Sequence, residues 1–262
     1  MLIPDLVAAV ALAAVAVWLA WPAPIMLSRA EWPAHAPGRA LLLWQGIAVA
    51  GGVSMIGALW LIGIAVTPRH PWLAGIPAYA LAAYLVAHLL TAIVRFEHQR
   101  RRHLHLLLLL SVPDPARKRT VLVDDQAPVA YCLPRGASSV TVLSKGLFGA
   151  LGADELEAVI AHERAHVQQR HEVLLVAFRA WHAALPWFPM AGRALGEVEA
   201  LVEMLADDQA RRELVGVVRR PDEALARAIL HVGKVEGEGS SSTRNRMHDR
   251  FRRLLPQSGS AQ

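Results

Sequence analysis

A mainly α-helical integral membrane protein, with transmembrane helices followed by a helical domain that holds a small β-sheet, is the fold class this sequence predicts. Three observations predict it. Of the 262 residues, 54% are hydrophobic and the mean hydropathy is +0.32, well above an ordinary soluble domain, in which charged residues alone approach ~25%. The apolar residues are concentrated before Val94. From Gly152 onward the pattern changes to the 3.6-residue period of helices, after a stretch rich in β-branched residues, Pro and Gly.

Leu2 to Ala20, Ala40 to Val66 and Trp72 to Val94 are each near the ~20 residues a helix needs to cross a bilayer. Trp18, Trp21, Trp44, Trp60 and Trp72 stand near their ends, where indole rings anchor at the headgroups. A cleaved signal peptide fits the first stretch less well, because it carries Asp5, lacks a basic start and shows no small-x-small cleavage site. Arg29 and Arg39 follow the first span and Arg95, Arg100, Arg101 and Arg102 the third, against Arg69 alone in the loop between the second and third. Positive-inside reasoning places the N-terminus outside and everything after Val94 in the cytoplasm. The expected division is a membrane domain, 1–95, and a cytoplasmic domain with a mobile tail, 96–262.

His103 to Pro115 holds an apolar run too short to span, and is expected as a helix lying on the membrane or against the bundle. "TVLVDD", "PVAYCL" and "SVTVLSKG" read as a small sheet between Thr120 and Ser144. In "ADELEAVIAHERAH", Asp154 followed three residues later by Glu157 has the form of a capping box, and the helix it opens is expected to run to Leu185 before "PWFP". Further helices are expected over Ala191 to Leu214 and Pro221 to Gly233, then a basic one in "MHDRFRRLL". Val173 to Phe188 is expected as a helix buried in the cytoplasmic domain or resting against the membrane, not as a fourth span, because it holds His182 and Arg179, and an arginine inside a bilayer costs about 2.5–3.5 kcal/mol.

Cys132 is the single cysteine, so a disulfide within the chain is excluded and any metal must rest on His and carboxylate. The net charge of +5 comes without a nucleic-acid recognition motif, and the arginines cluster after apolar segments, so the bilayer and not nucleic acid is the expected anionic partner.

His162 and His166 lie four apart on a helix, which turns both imidazoles to one face where they can bind one ion. Glu163, one residue round, is placed to reach a water at that ion and act as acid/base. A third ligand is expected from the next long helix, where Glu203 and Asp207 repeat the four-residue spacing. Glu203 is read as the ligand, with Glu199 its competitor. Asp207 is read as the carboxylate that orients a ligand histidine, His162, through its other nitrogen. One Zn2+ per chain is the expected cofactor. His171 is read as structural or substrate-side, because the extended zinc motif wants histidine where Glu172 stands. Tyr131, His171, Arg246 and His248 stay open as oxyanion partners.

With apolar spans, then "PVAYCLPRGASSVTVLSKGLFGALGADELEAVIAHERAHVQQRHEVLL", "EVEALVEMLADDQA" and "RFRRLL", the chain resembles the BlaR/MecR-type membrane zinc metallopeptidases and, more distantly, the HtpX and CAAX-prenyl protease family. The resemblance implies a gluzincin fold, His162, His166 and Glu203 as zinc ligands, Glu163 as acid/base and Asp207 behind them. It also implies a strand that pairs with extended substrate, here Val129, Ala130 and Tyr131 or, alternatively, Val140 and Val142. Sensors of that family carry a further span and an extracellular ligand-binding domain, whereas the residues after Pro221 here are polar and basic, which speaks against direct antibiotic sensing.

The expected function is a plasma-membrane zinc endopeptidase of a bacterium, facing the cytoplasm and acting in regulated proteolysis on a protein substrate such as a transcriptional repressor. A quality-control protease of the HtpX kind, a zinc-containing receptor or scaffold without activity, and a metal transporter are the rivals. The last is weakened because His88 is the lone histidine within the three spans. Homo-oligomerisation is left open.

Overall fold

The computed structural model describes residues 2–115, 117, 119–127, 129–135, 138–235 and 250–255. They form two compact units, Met1–Glu97 with Leu174–Leu201, and His98–Val173 with Val202–Gln262. The units part at Glu97, where the sequence suggests a division at 95 and 96, and 174–201 belong to the first unit. The physical reason is an apolar face: Leu175, Val176, Phe178, Ala184, Met190 and Val198 are all buried.

In the first unit, α1 (Leu2–Ala20), α2 (Pro22–Arg29), α3 (Trp32–His35), α4 (Pro37–Val66), α5 (Pro71–Ala74) and the start of α6 (Ile76–Leu110) follow in order. Three helical stretches are long and apolar enough to cross a membrane: Pro4–Arg29, Pro37–Val66 and Trp72–His103. The first outruns the expected end at Ala20. Pro22 falls at the start of a helix, where its missing N–H is tolerated, and Trp21 N–H to Val17 O (3.1 Å) with Ile25 N–H to Trp21 O (3.5 Å) carries the helix across it. Small residues let α1 and α4 approach: Gly57 faces Leu12 and Gly51 faces Leu19. At Gly63 a side chain would overlap the Ala74 carbonyl, so glycine is what lets α5 close on α4.

In the second unit α6 continues unbroken to Leu110, in place of a separate helix from His103, because "RFEHQRRRHLH" contains no Pro or Gly to stop it. Among the described residues the sheet has four strands, β1 (Ser111–Pro113), β2 (Thr120–Val123), β3 (Ala130–Arg135) and β4 (Ser138–Ser144), in the order β1-β2-β4-β3. β2 and β4 run parallel, and the other pairs are antiparallel. The register sets Thr120 and Cys132 beside Thr141, and Leu122 and Ala130 beside Leu143, on one face. That face packs on α7 (Lys145–Ala150) and α8 (Ala153–Gln168), where Leu143, Leu147, Leu156 and Ile160 form a buried cluster.

The α8 start differs from the expected box. Gly152 is the N-cap, and the carboxylate reaching back to its N–H is Glu155, at 3.1 Å, not Glu157. Asp154 lies in the first turn, where the helix dipole still favours it. α8 also stops short of Leu185. Arg170 has φ +52°, a left-handed turn that ends it at Gln168 ahead of α9 (His171–Ala184). The end of α10 (Pro189–Leu214) from Val202 onward, α11 (Pro221–Val235) and a short helix at 250–254 complete the unit. Ala158 and Ala161 of α8 pack with Ala210, Leu214, Leu225, Ala228 and Leu254 in its larger core.

Candidate metal centre

The 16-residue α8 is buried on two sides, by the sheet through Leu156 and Ile160 and by α10 and α11 through Ala158 and Ala161. Those contacts fix its rotation, and the four-residue spacing then brings His162 Nε2 within 3.1 Å of His166 Nε2. Glu203, on α10, closes the group: Oε2 is 3.3 Å from His162 Nε2 and Oε1 is 3.4 Å from His166 Nε2. Among the described residues these three form a set able to hold a metal ion. Their spacing suits zinc, because ligand atoms ~2.0–2.1 Å from a tetrahedral centre stand ~3.3–3.4 Å apart. Charge suits it as well, since Glu163, Glu203 and Asp207 against Arg250 leave two negative charges for a dication.

Asp207, 1% exposed, stands behind His162, with Oδ1 2.9 Å from Nδ1. The ring nitrogen has the distance of a hydrogen bond without its alignment, yet a buried ring N–H this near a carboxylate keeps the proton on Nδ1 and Nε2 free to ligate. His166 has a different partner. His171, also 1% exposed, puts Nδ1 3.1 Å from His166 Nδ1, while its Nε2 lies 2.8 Å from Gln169 Oε1. An amide oxygen only accepts, so His171 carries its proton on Nε2 and receives the His166 Nδ1–H on Nδ1. His171 therefore orients His166, and the left-handed turn at Arg170 is what folds it back. Replacing His171 with Ala is expected to weaken zinc binding by about 10–100-fold, read by competition with a chromophoric chelator.

Arg250 was not anticipated as a site residue. Its Nε and Nη2 donate to Asp207 Oδ2 and Oδ1 at 2.7 and 2.8 Å, and its Nη1 lies 2.9 Å from Glu203 Oε2. One guanidinium thus ties together two carboxylates a helical turn apart. Arg253, a turn on, pairs with Asp208 at 3.0 Å, and Leu254 is buried in the larger core, so the short helix is docked by charge and by packing. The signal in the sequence was "RFRRLL", together with two acids on the buried face of α10 that needed a cation.

These neighbours set the protonation of the metal-free site. Burial alone would lower the His162 pKa, but the contacts with Asp207 and Glu203 outweigh it and raise it to about 10. Burial lowers His166 to about 4 and His171 to about 4. Burial would raise Glu203, but His162 and Arg250 win and hold it at about 2. Zinc ligands must be neutral imidazoles, so zinc displaces the His162 proton while His166 has none to give. Apparent zinc affinity is therefore expected to rise about tenfold per pH unit between about pH 6 and about pH 8. A chelator competition that is flat with pH contradicts this.

The remaining candidates separate clearly. β4, with Val140 and Val142, is hydrogen-bonded on both sides, to β2 and β3, so it has no free edge for a peptide. β3, with Ala130 and Tyr131, has no strand on its other side among the described residues, and Val129 leads into it. The Glu163 charge acts on the Cys132 thiol, whose pKa is raised first by burial, so β3 runs beside the α8 glutamate. The Tyr131 hydroxyl is 3.1 Å from His103 Nε2, and His171 is held behind His166. Arg246 and His248 lie outside the described residues.

A His-His-Glu set with an acid one residue along the same helix suits a metallopeptidase, and comparison with known families supports that reading. Residues 95–220 match the model of peptidase family M48. This stretch is similar to an M48 peptidase domain. The match covers all of α8, the Glu203 to Asp207 turn and the sheet, and agrees with the BlaR- and HtpX-like membrane zinc metallopeptidases. No curated protein and no solved structure matches the chain. Arg250 lies beyond the matched residues, and its place at the site rests on its contacts with Asp207 and Glu203.

Proposed function

We propose that the chain is a multi-pass zinc endopeptidase of the bacterial plasma membrane, with its M48 domain in the cytoplasm, cutting a cytoplasmic or membrane-proximal protein in regulated proteolysis. A transcriptional repressor is the proposed substrate class. The observation that carries the reading is the three-donor cluster His162, His166 and Glu203 with Glu163 beside it on α8. Structural zinc is usually closed by four protein ligands, commonly with Cys, whereas catalytic zinc takes three and leaves one position open. Three donors without Cys favour the second.

When bound, zinc supplies Lewis acidity toward a water and toward the scissile carbonyl. The chain's own residues do the rest. Glu163 accepts the proton of the attacking water on a carboxylate oxygen and delivers it to the leaving amine nitrogen. The edge of β3 holds an extended peptide by main-chain hydrogen bonds, which orients the scissile bond across α8. Asp207 and His171 keep both imidazoles in the ligating tautomer, and Arg250 holds Glu203 in place.

The test is a trap: the Glu163→Gln protein, expressed in its host membrane, crosslinked and purified beside the wild type. Enrichment of one cytoplasmic regulator is the expected result. Enrichment of many damaged membrane proteins points instead to quality control, and no enrichment over the wild type contradicts a peptidase.

A further inference from the structure

We propose that the α9–α10 hairpin is a re-entrant membrane element, whose apex, Leu185–Pro189, inserts into the acyl region of the leaflet at which Arg29, Arg39 and Arg95 stand. It reaches the middle of the spans without crossing.

Depth is read from contacts within the first unit. The Tyr84 hydroxyl donates to Ala184 O at 2.6 Å, and Tyr84 lies near the middle of the Trp72–His103 stretch. Trp21 packs on Phe188 with ring centroids 6.0 Å apart. Trp21 is two residues past Leu19, whose Cβ faces Gly51 at the midpoint of the Pro37–Val66 stretch. At 1.5 Å per residue, Tyr84 is ~16 Å of helix from Arg95 and Trp21 is ~12 Å from Arg29. Two independent contacts thus put the apex at one depth, about half of a ~30 Å hydrocarbon core.

The chemistry of the apex agrees with that depth. Between Arg179 and Arg193 no residue carries a charged carboxylate, ammonium or guanidinium group. Both arginines are exposed and lie ~6–8 Å of helix back from the apex, within reach of the headgroups by snorkelling. Trp187, at the tip, is 76% exposed, a poor arrangement in water and a suitable one in lipid. Backbone groups at a turn are costly in hydrocarbon, and here several are provided for. Pro186 and Pro189 have no N–H, Leu185 N–H donates to Trp181 O, Phe188 N–H to Leu185 O, and Ala191 N–H to Phe188 O, at 3.0 to 3.1 Å. Tyr84 takes the Ala184 carbonyl that the end of α9 leaves over.

Single nitroxide labels on the full chain in phosphatidylcholine–phosphatidylglycerol vesicles test this. In a Cys132→Ala background the sites are Trp187→Cys, Val53→Cys on the exposed middle of α4, and Arg227→Cys on the exposed face of α11. Oxygen, which concentrates among acyl chains, and a water-soluble nickel chelate serve as collision partners. The expected result is loss of nickel collisions with oxygen collisions kept at 187, as at 53, and the reverse at 227. Nickel collisions at 187 matching those at 227 overturn the hairpin while 53 still reports lipid. Loss of both collisions at 187 also overturns it, because protein and not lipid then covers the apex. Nickel access at both 53 and 187 overturns the spans and the hairpin together. None of these readouts requires peptidase activity, so the hairpin and the proposed enzyme fail separately.

Discussion

Glu163→Gln is expected to lower kcat for hydrolysis of unfolded casein on the order of 10²–10⁴-fold, the range that positioned proton transfer supplies. Glutamine keeps the size of the side chain and loses only the ability to take the proton. Glu163 is not in the three-donor cluster, so zinc content is expected to stay at one per chain, read by mass spectrometry of the metal in the same preparation. KM is expected to move little, because the proposed peptide site is the edge of β3 and not Glu163. Undiminished cleavage by the variant contradicts the role given to Glu163, and lost zinc with lost cleavage moves Glu163 into the ligand set.

Arg250→Met is expected to have the largest effect on stability. It removes the guanidinium paired with Asp207, which is 1% exposed and keeps, among the described residues, only His162 as a partner. Breaking one side of a buried pair leaves an uncompensated charge and costs about 3–5 kcal/mol. Denaturant unfolding of the detergent-solubilised protein, with and without zinc, measures it. The loss is expected to be smaller with zinc, because a dication answers the same two carboxylates. Acid should shrink it too. Burial would raise the Asp207 pKa, but Arg250 outweighs this and holds it below its usual 3.8, so the pairing stabilises fully above about pH 4 and is lost as pH falls through the depressed folded value. Arg250→Lys is expected to recover part of the loss, because a lysine makes one contact where the guanidinium fork makes three. Wild-type stability in Arg250→Met contradicts the account.

What was legible in the sequence was whatever is written in short-range spacing. His162 and His166, and Glu203 and Asp207, are each one helical turn apart, and a helix converts that spacing into a shared face without help from the rest of the fold. The three spans were legible because hydropathy is a property of segments. Two site residues were not. Arg250 reaches Asp207 across 43 positions, and any of 27 lysines and arginines satisfies the need for a cation equally well on paper. His171 was legible only as structural or substrate-side, and its contact with His166 was hidden by a turn: left-handed backbone usually announces itself by Gly or Asn, and here Arg170 adopts it, so the helix read as continuous. The return of 174–201 to the first unit was hidden for a related reason, since an apolar helix face does not say which surface will cover it.

The central claim is that His162, His166 and Glu203 hold a zinc with one position left open. Zinc-edge X-ray absorption on the purified full-length protein tests it most directly, comparing the wild type with Glu203→Ala. The account predicts nitrogen and oxygen donors at ~2.0–2.1 Å with two imidazoles and no sulfur, and a changed spectrum with weakened binding in the variant. A sulfur shell at ~2.3 Å, or a spectrum and affinity that Glu203→Ala leaves untouched, contradicts it.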